Sequence, residues 1–186
     1  MPAAATITTV AIMAAAAPRA LGRARLLAGA VVLTAFLIGI AAAPAAVAAT
    51  AAVDSVALAP TSAQTNLAAY INNYRRANGL APVLLTSRMQ PAAQGHAAYM
   101  ARINRLTHIG ANGSNAGQRL LASGVSWSAW GENIAVGYSS STAVFNAWRN
   151  SAGHRANMLN PRFTHIGIGV AYGYGRWWWC LVLARP

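Results

Sequence analysis

The sequence predicts an α+β domain built in layers, and three observations carry that prediction. Apolar side chains recur at helical spacing in separate segments between residues 63 and 148. After Asn160-Pro161 the period changes to two. The two strands that this change announces come last in the chain, joined by the turn Tyr-Gly-Tyr-Gly. Helices first and a closing β-hairpin describe segregated α and β layers, not alternating βαβ units.

The chain opens on a different kind of sequence. Residues 1–49 are almost all small or apolar and carry Arg19, Arg23 and Arg25 ahead of the uninterrupted run 26–43. Pro44 ends that run, and an A-x-A site follows at Ala46-Val47-Ala48. This is the pattern of a secretory signal peptide, with an uncleaved membrane anchor as the rival because a span needs about 20 apolar residues. Export follows from either reading, so the expected location is secreted, extracellular or in the cell envelope. The first twelve residues carry no charge, and Met13 would give a more ordinary start. Residues 50–62, small and interrupted by Pro60, read as a linker to one domain over 63–186.

Within the domain, Thr61 and Ser62 are placed to cap a helix over 63–78 with Leu67, Tyr70, Ile71 and Tyr74 on its apolar stripe, and Gly79 stops it. A second helix is predicted from about Ser87 to Leu106, with Pro91 tolerated in its first turn and Met89, Ala93, Ala97, Met100 and Ile103 buried. Residues 109–115 are turn chemistry, and a short helix over 116–122 is closed by Gly124. The stretch 125–138 fits neither period. Ser139–Ser141 then cap a helix that buries Val144, Phe145 and Trp148. Ile166, Ile168, Val170 and Tyr172 alternate with small residues as a strand, and a second strand runs from Trp177 to Leu183.

Composition excludes most enzyme classes. Residues 50–186 hold eleven of the fourteen arginines but only Asp54 and Glu132 as acidic side chains, and only Glu132 falls in the folded part. Paired-carboxylate catalysis is therefore impossible within one chain, and a Ser-His-Asp triad has no Asp. Cys180 is the one cysteine, which excludes an internal disulfide; beside three tryptophans in a strand it reads as a small buried residue. There is no HExxH, Walker loop or GxGxxG. The histidines and Glu132 remain. Two His and one Glu from separate segments are able to close on a Zn²⁺ and leave a position for water, though no local spacing forces them together.

Five motifs in order resemble a known family: Ile71-Asn-Asn-Tyr-Arg75, Leu-Thr-His108, Gly131-Glu-Asn-Ile134, Trp148-x-x-Ser-x-Gly-His-Arg155-x-Asn-Met-Leu, and Ile166-Gly-Ile-Gly-Val170. Together they resemble the CAP superfamily of cysteine-rich secretory proteins, antigen 5 and pathogenesis-related 1 proteins, in its bacterial SCP-like branch. The resemblance implies a three-layer α-β-α sandwich with a central cleft. Eukaryotic members line that cleft with two His and two Glu able to hold a divalent cation such as zinc. Matched by motif, the first His is His108 and the first Glu is Glu132. The second Glu position holds Ser151, with His154 one turn later. The second-His motif is absent, and His165 is only a loose positional substitute.

The expected site is thus His108, Glu132 and His154 as metal ligands, with Asn133 and Ser151 beside them in the cleft. The leading function is binding of a divalent metal, of a small lipid or envelope-derived ligand, or of both. The alternatives are a metal-dependent extracellular hydrolase using Glu132 or His154 as general base, and a non-catalytic envelope module. Each residue also has a plainer reading. Glu132 pins its loop, His108 hydrogen-bonds at a loop, His154 caps a helix, and His96 is structural or exposed. Of Trp177, Trp178 and Trp179, at least one ring opposes its neighbours, and an outward Trp178 would contact sugar or a membrane interface. The arginine excess attracts anionic envelope polymers or reflects coding bias. The arginines are scattered away from aromatic clusters, so specific nucleic-acid recognition is not expected.

Overall fold

The computed structural model describes residues 61–186. The expected signal peptide over 1–49, its cleavage site and nearly all of the expected linker lie outside the described residues. Among those residues no helix is long and apolar enough to cross a membrane.

Helix α1 spans Ser62–Ala77 and opens with a capping box, in which the Thr61 amide donates to Gln64 Oε1 at 2.7 Å. A two-residue strand β1, Leu84–Leu85, precedes a single 3-10 turn and helix α2, Gln90–Ile103. The 3-10 turn at Ser87–Met89 occupies the start predicted for the helix, and Asn104 ends it in the left-handed region at φ 52°. Helix α3 covers Ala116–Ala122 behind the Asn115 cap. Strand β2 covers Ala129–Val136. Helix α4, Ser141–Asn150, starts at Ser140, whose hydroxyl accepts from the Ala143 amide at 3.1 Å. Ser151 is extended and breaks the chain into a separate helix α5, Ala152–Met158. Strands β3, His165–Gly173, and β4, Arg176–Arg185, close the domain. Tyr174 and Gly175, with φ of 53° and 71°, form the two-residue turn between them, the mirror-image turn that matches strand twist.

The strands form one sheet in the order β1-β3-β4-β2, parallel between β1 and β3 and antiparallel elsewhere. Two apolar cores lie on its two faces. One joins Leu67 and Ile71 of α1, Val144 and Trp148 of α4 and Met158 of α5 to Ala135, Ile168, Trp179 and Leu181. The other joins Ala93, Ala97 and Met100 of α2 and Leu120 of α3 to Trp130, Ile134, Trp178, Cys180 and Val182. The α-β-α sandwich follows from this split, with α1, α4 and α5 on one side and α2 and α3 on the other.

Strand β2 is the element that periodicity missed. All eight of its residues are buried, because helices cover both faces, so polar and apolar positions do not alternate. Its side chains still alternate in direction: Trp130, Ile134 and Val136 meet one core, Ala129 and Ala135 the other. That alternation decides the fate of the expected site.

The free edge of β3 is finished by glutamine side chains. Ile168 N donates to Gln90 Oε1 at 2.7 Å, and Ile168 O accepts from Gln64 at 2.8 Å. Gln94 both accepts from Val170 N at 3.0 Å and donates to Val170 O at 2.8 Å. Buried backbone groups beyond the short β1 thereby keep partners, and the edge is closed to further strands. Arg75, buried at the end of α1, donates to the carbonyls of Ala81, Met158, Asn160 and Phe163. It ties α1 to the loop that leads into β3.

Candidate functional site

Glu132 sits in the middle of β2 and is 1% exposed. Its position in the alternation aims it at the α2/α3 side, where three elements supply partners. His108, from the loop after α2, donates from Nδ1 to Oε1 at 2.8 Å; this fixes the tautomer, since a carboxylate only accepts. Arg119 of α3 forms a salt bridge through Nη2 to Oε2. His96 of α2 places Nε2 4.0 Å from Oε1 while donating to Thr107 O at 2.8 Å. The Cys180 thiol, two strand positions from the residue opposite Glu132, reaches Oε2 at 3.5 Å. Arg119 also donates to Ser114 O at 2.7 Å and to His108 O at 3.3 Å, so the network holds the whole turn 108–114 against the sheet.

Electrostatics follow from this packing. Burial pushes the Glu132 carboxyl up, but the His108 hydrogen bond and the Arg119 charge outweigh it and hold the group below the ordinary carboxylate value. Burial holds His96 below the usual imidazole value, against the pull of Glu132. Burial, and then the charge of Glu132, push the Cys180 thiol well up, so it stays a thiol and an unreactive one.

These shifts give stability a pH dependence of definite sign. Folded His96 resists a proton that the unfolded chain accepts below about pH 6.5, so stability declines as pH falls through that value. Glu132 contributes stability present above about pH 4.5, which is lost as pH falls through its lower folded value. Urea midpoints are expected to fall in two stages on acidification, the first of them abolished by His96→Gln. A midpoint that is flat between about pH 7.5 and about pH 5 would contradict the first stage.

The other expected ligand lies elsewhere. Asn133 follows Glu132 and therefore points to the opposite face, where it donates to His154 O at 3.0 Å. His154, on α5, takes Ser151 Oγ at 2.9 Å and packs its ring 6.3 Å from that of Trp148. Asn157 completes this second polar group, donating to Asn133 Oδ1 at 2.9 Å and to Glu132 O at 3.2 Å. The structure thus brings His108 to Glu132, brings His154, Ser151 and Asn133 together, and separates the two groups by the sheet. His165, at the start of β3, bonds Thr164 Oγ1 and joins neither.

A divalent cation does not fit this arrangement. Among the described residues no three His, Cys, Asp or Glu side chains are grouped to hold a metal ion. Both oxygens of Glu132 are already engaged, and a cation beside them would face the Arg119 guanidinium. Spacing gave no sign of Arg119, His96 or Cys180 as neighbours of Glu132. Their convergence comes from three segments far apart in sequence.

Of the tryptophan triplet, Trp178 is buried with its ring toward α2, and Trp179 is buried in the other core. The outward ring is Trp177, at the end of the hairpin, and not Trp178.

Comparisons with known proteins agree with this architecture. An extracellular protein of Bacillus anthracis str. Ames that contains an SCP domain superposes with a TM-score of 0.61 at 28% identity, over 66% of this chain and 40% of that one. An outer surface protein of Borrelia burgdorferi shares the fold, with a TM-score of 0.61 at 20% identity, over 65% of this chain and 90% of its own. In sequence, the uncharacterised protein YkwD of Bacillus subtilis (strain 168) is 33% identical over 124 residues, covering 63% of this chain and 48% of its own length. The chain spans less than half the length of the curated relatives it matches. The profile of the CAP family, described as the cysteine-rich secretory protein family, matches residues 68–183, which run from within α1 to within β4. On that match and that fold, the chain belongs to the CAP family.

Proposed function

We propose that this chain works outside the cell as a binding module for anionic envelope polymers and not as a hydrolase. One observation carries the reading, the layout of charge. The single carboxylate side chain among the described residues is buried and neutralised by Arg119. It is screened from substrate and held ionised by its partners, so it is poorly placed as a general acid or base. Apart from Arg119 and the buried Arg75, nine arginines remain between residues 61 and 186, exposed or half-buried, with no acidic side chain to compensate them. Such a field draws polyanions over about a Debye length, ~8 Å at physiological salt. The extracellular and outer-surface neighbours, together with the leader read from the sequence, support a place outside the cell.

The test is sedimentation of the purified chain with bacterial cell walls, intact or stripped of phosphate-bearing polymers. Retention is expected on intact walls and is expected to drop at least about tenfold in 1 M salt or on stripped walls. Retention indifferent to both, or release of soluble wall fragments on incubation with the chain, would overturn the proposal.

A further inference from the structure

A groove of about 300 Å³ opens on the α1/α4 face of the sheet, the face opposite Glu132. Its rings are Trp177 and Trp179, and its polar lining includes Asn66 and Tyr70 of α1 with Ser139 and Thr142 at the start of α4. None of its lining residues is charged, in a chain whose net charge is +12. The geometry points to this groove as a binding site for a neutral oligosaccharide, independent of the arginine surface.

Trp177 is 40% exposed, and Tyr172, its cross-strand partner, is 61% exposed. Their ring centroids lie 5.0 Å apart with planes inclined by 60°, an aromatic ledge at one end of the groove. A flat apolar ring beside a wet surface suits the C–H face of a pyranose. The hydroxyls nearby are partly committed: Tyr70 pairs with Thr142 at 3.1 Å, and Ser141 donates to Ala63 O at 2.8 Å. The Asn66 amide and the Ser139 hydroxyl make no side-chain hydrogen bond among the described residues. A sugar hydroxyl would satisfy both, whereas an alkyl chain would strip their water and return nothing. Lack of charge in the lining disfavours phosphate and carboxylate ligands.

Calorimetric titration of the full chain with neutral hexasaccharides of glucose and of N-acetylglucosamine tests the site. Saturable binding is expected with one of them, unchanged in 0.5 M salt and weakened about tenfold by Trp177→Ala. Asn66→Ala, at an exposed position on α1, is expected to weaken it too, with the thermal midpoint unmoved. Absence of binding to both sugars would overturn the inference, as would unaltered binding in Trp177→Ala or Trp177-dependent binding of a fatty acid instead. Wall retention in salt is expected to ignore both substitutions, so failure of this inference and failure of the polyanion reading are read separately.

Discussion

Replacing Glu132 by glutamine is expected to cost about 3–5 kcal/mol of stability, the range for removing one partner of a buried ion pair. The carboxylate is the only negative charge beside Arg119, His108 and His96, and the amide would leave a guanidinium facing a neutral group under α3. The turn 108–114 would lose its hold on the sheet as well, because Arg119 bridges Glu132 to His108 O and Ser114 O. Chemical denaturation reads the loss directly. Adding Arg119→Met to Glu132→Gln is expected to recover part of it by removing the stranded cation. A Glu132→Gln midpoint close to that of the parent would mean that the network contributes little to the fold.

Gly169→Ala is expected to be damaging as well, for a reason of shape. A Cβ there would overlap the Ala93 carbonyl and come within 2.6 Å of Gln94 N, both backbone atoms of α2. Gly167 is in the same position, since its Cβ would meet Met89 O at 2.5 Å. Backbone cannot step aside as a flexible side chain can. Helix α2 would have to lift from β3, and the Gln90 and Gln94 bonds that finish the strand edge would be lost with it. Overpacking of this kind typically costs about 1–3 kcal/mol and sometimes more. Denaturation of Gly169→Ala beside Gly95→Ala, an exposed α2 position with nothing within 4 Å and no left-handed φ, separates the packing effect from that of adding a methyl group.

The glycine pattern was visible in the sequence as a strand face kept small, but what it was kept small for was not. The helices were legible because each buries one stripe: Leu67 and Ile71, Ala93 and Met100, Val144 and Trp148. The hairpin was legible for the same reason, one face being marked by Ile166 and Ile168. Strand β2 hid because it is buried twice. That concealment also hid how the site residues divide between the two faces. Motif order brings His108, Glu132 and His154 into one list, yet order along a chain does not say which face of a strand a residue takes. Neighbours Glu132 and Asn133 face opposite ways, and His154 follows Asn133. Arg119 showed no local signal, because it is one basic residue on a short helix among eleven scattered arginines.

The central claim is that Glu132 is a carboxylate kept ionised by Arg119 and His108, in place of a metal ligand or a catalytic acid. Glu132 is the only glutamate in the chain, so ¹³C labelling of glutamate gives one carboxyl signal to follow. Recorded against pH with and without Zn²⁺, that signal is expected to hold its carboxylate position at about pH 4.5 in the folded protein, to titrate only below that value, and to ignore the metal. A titration midpoint at or above that value in the folded protein, or a saturable shift on adding Zn²⁺, would contradict the account.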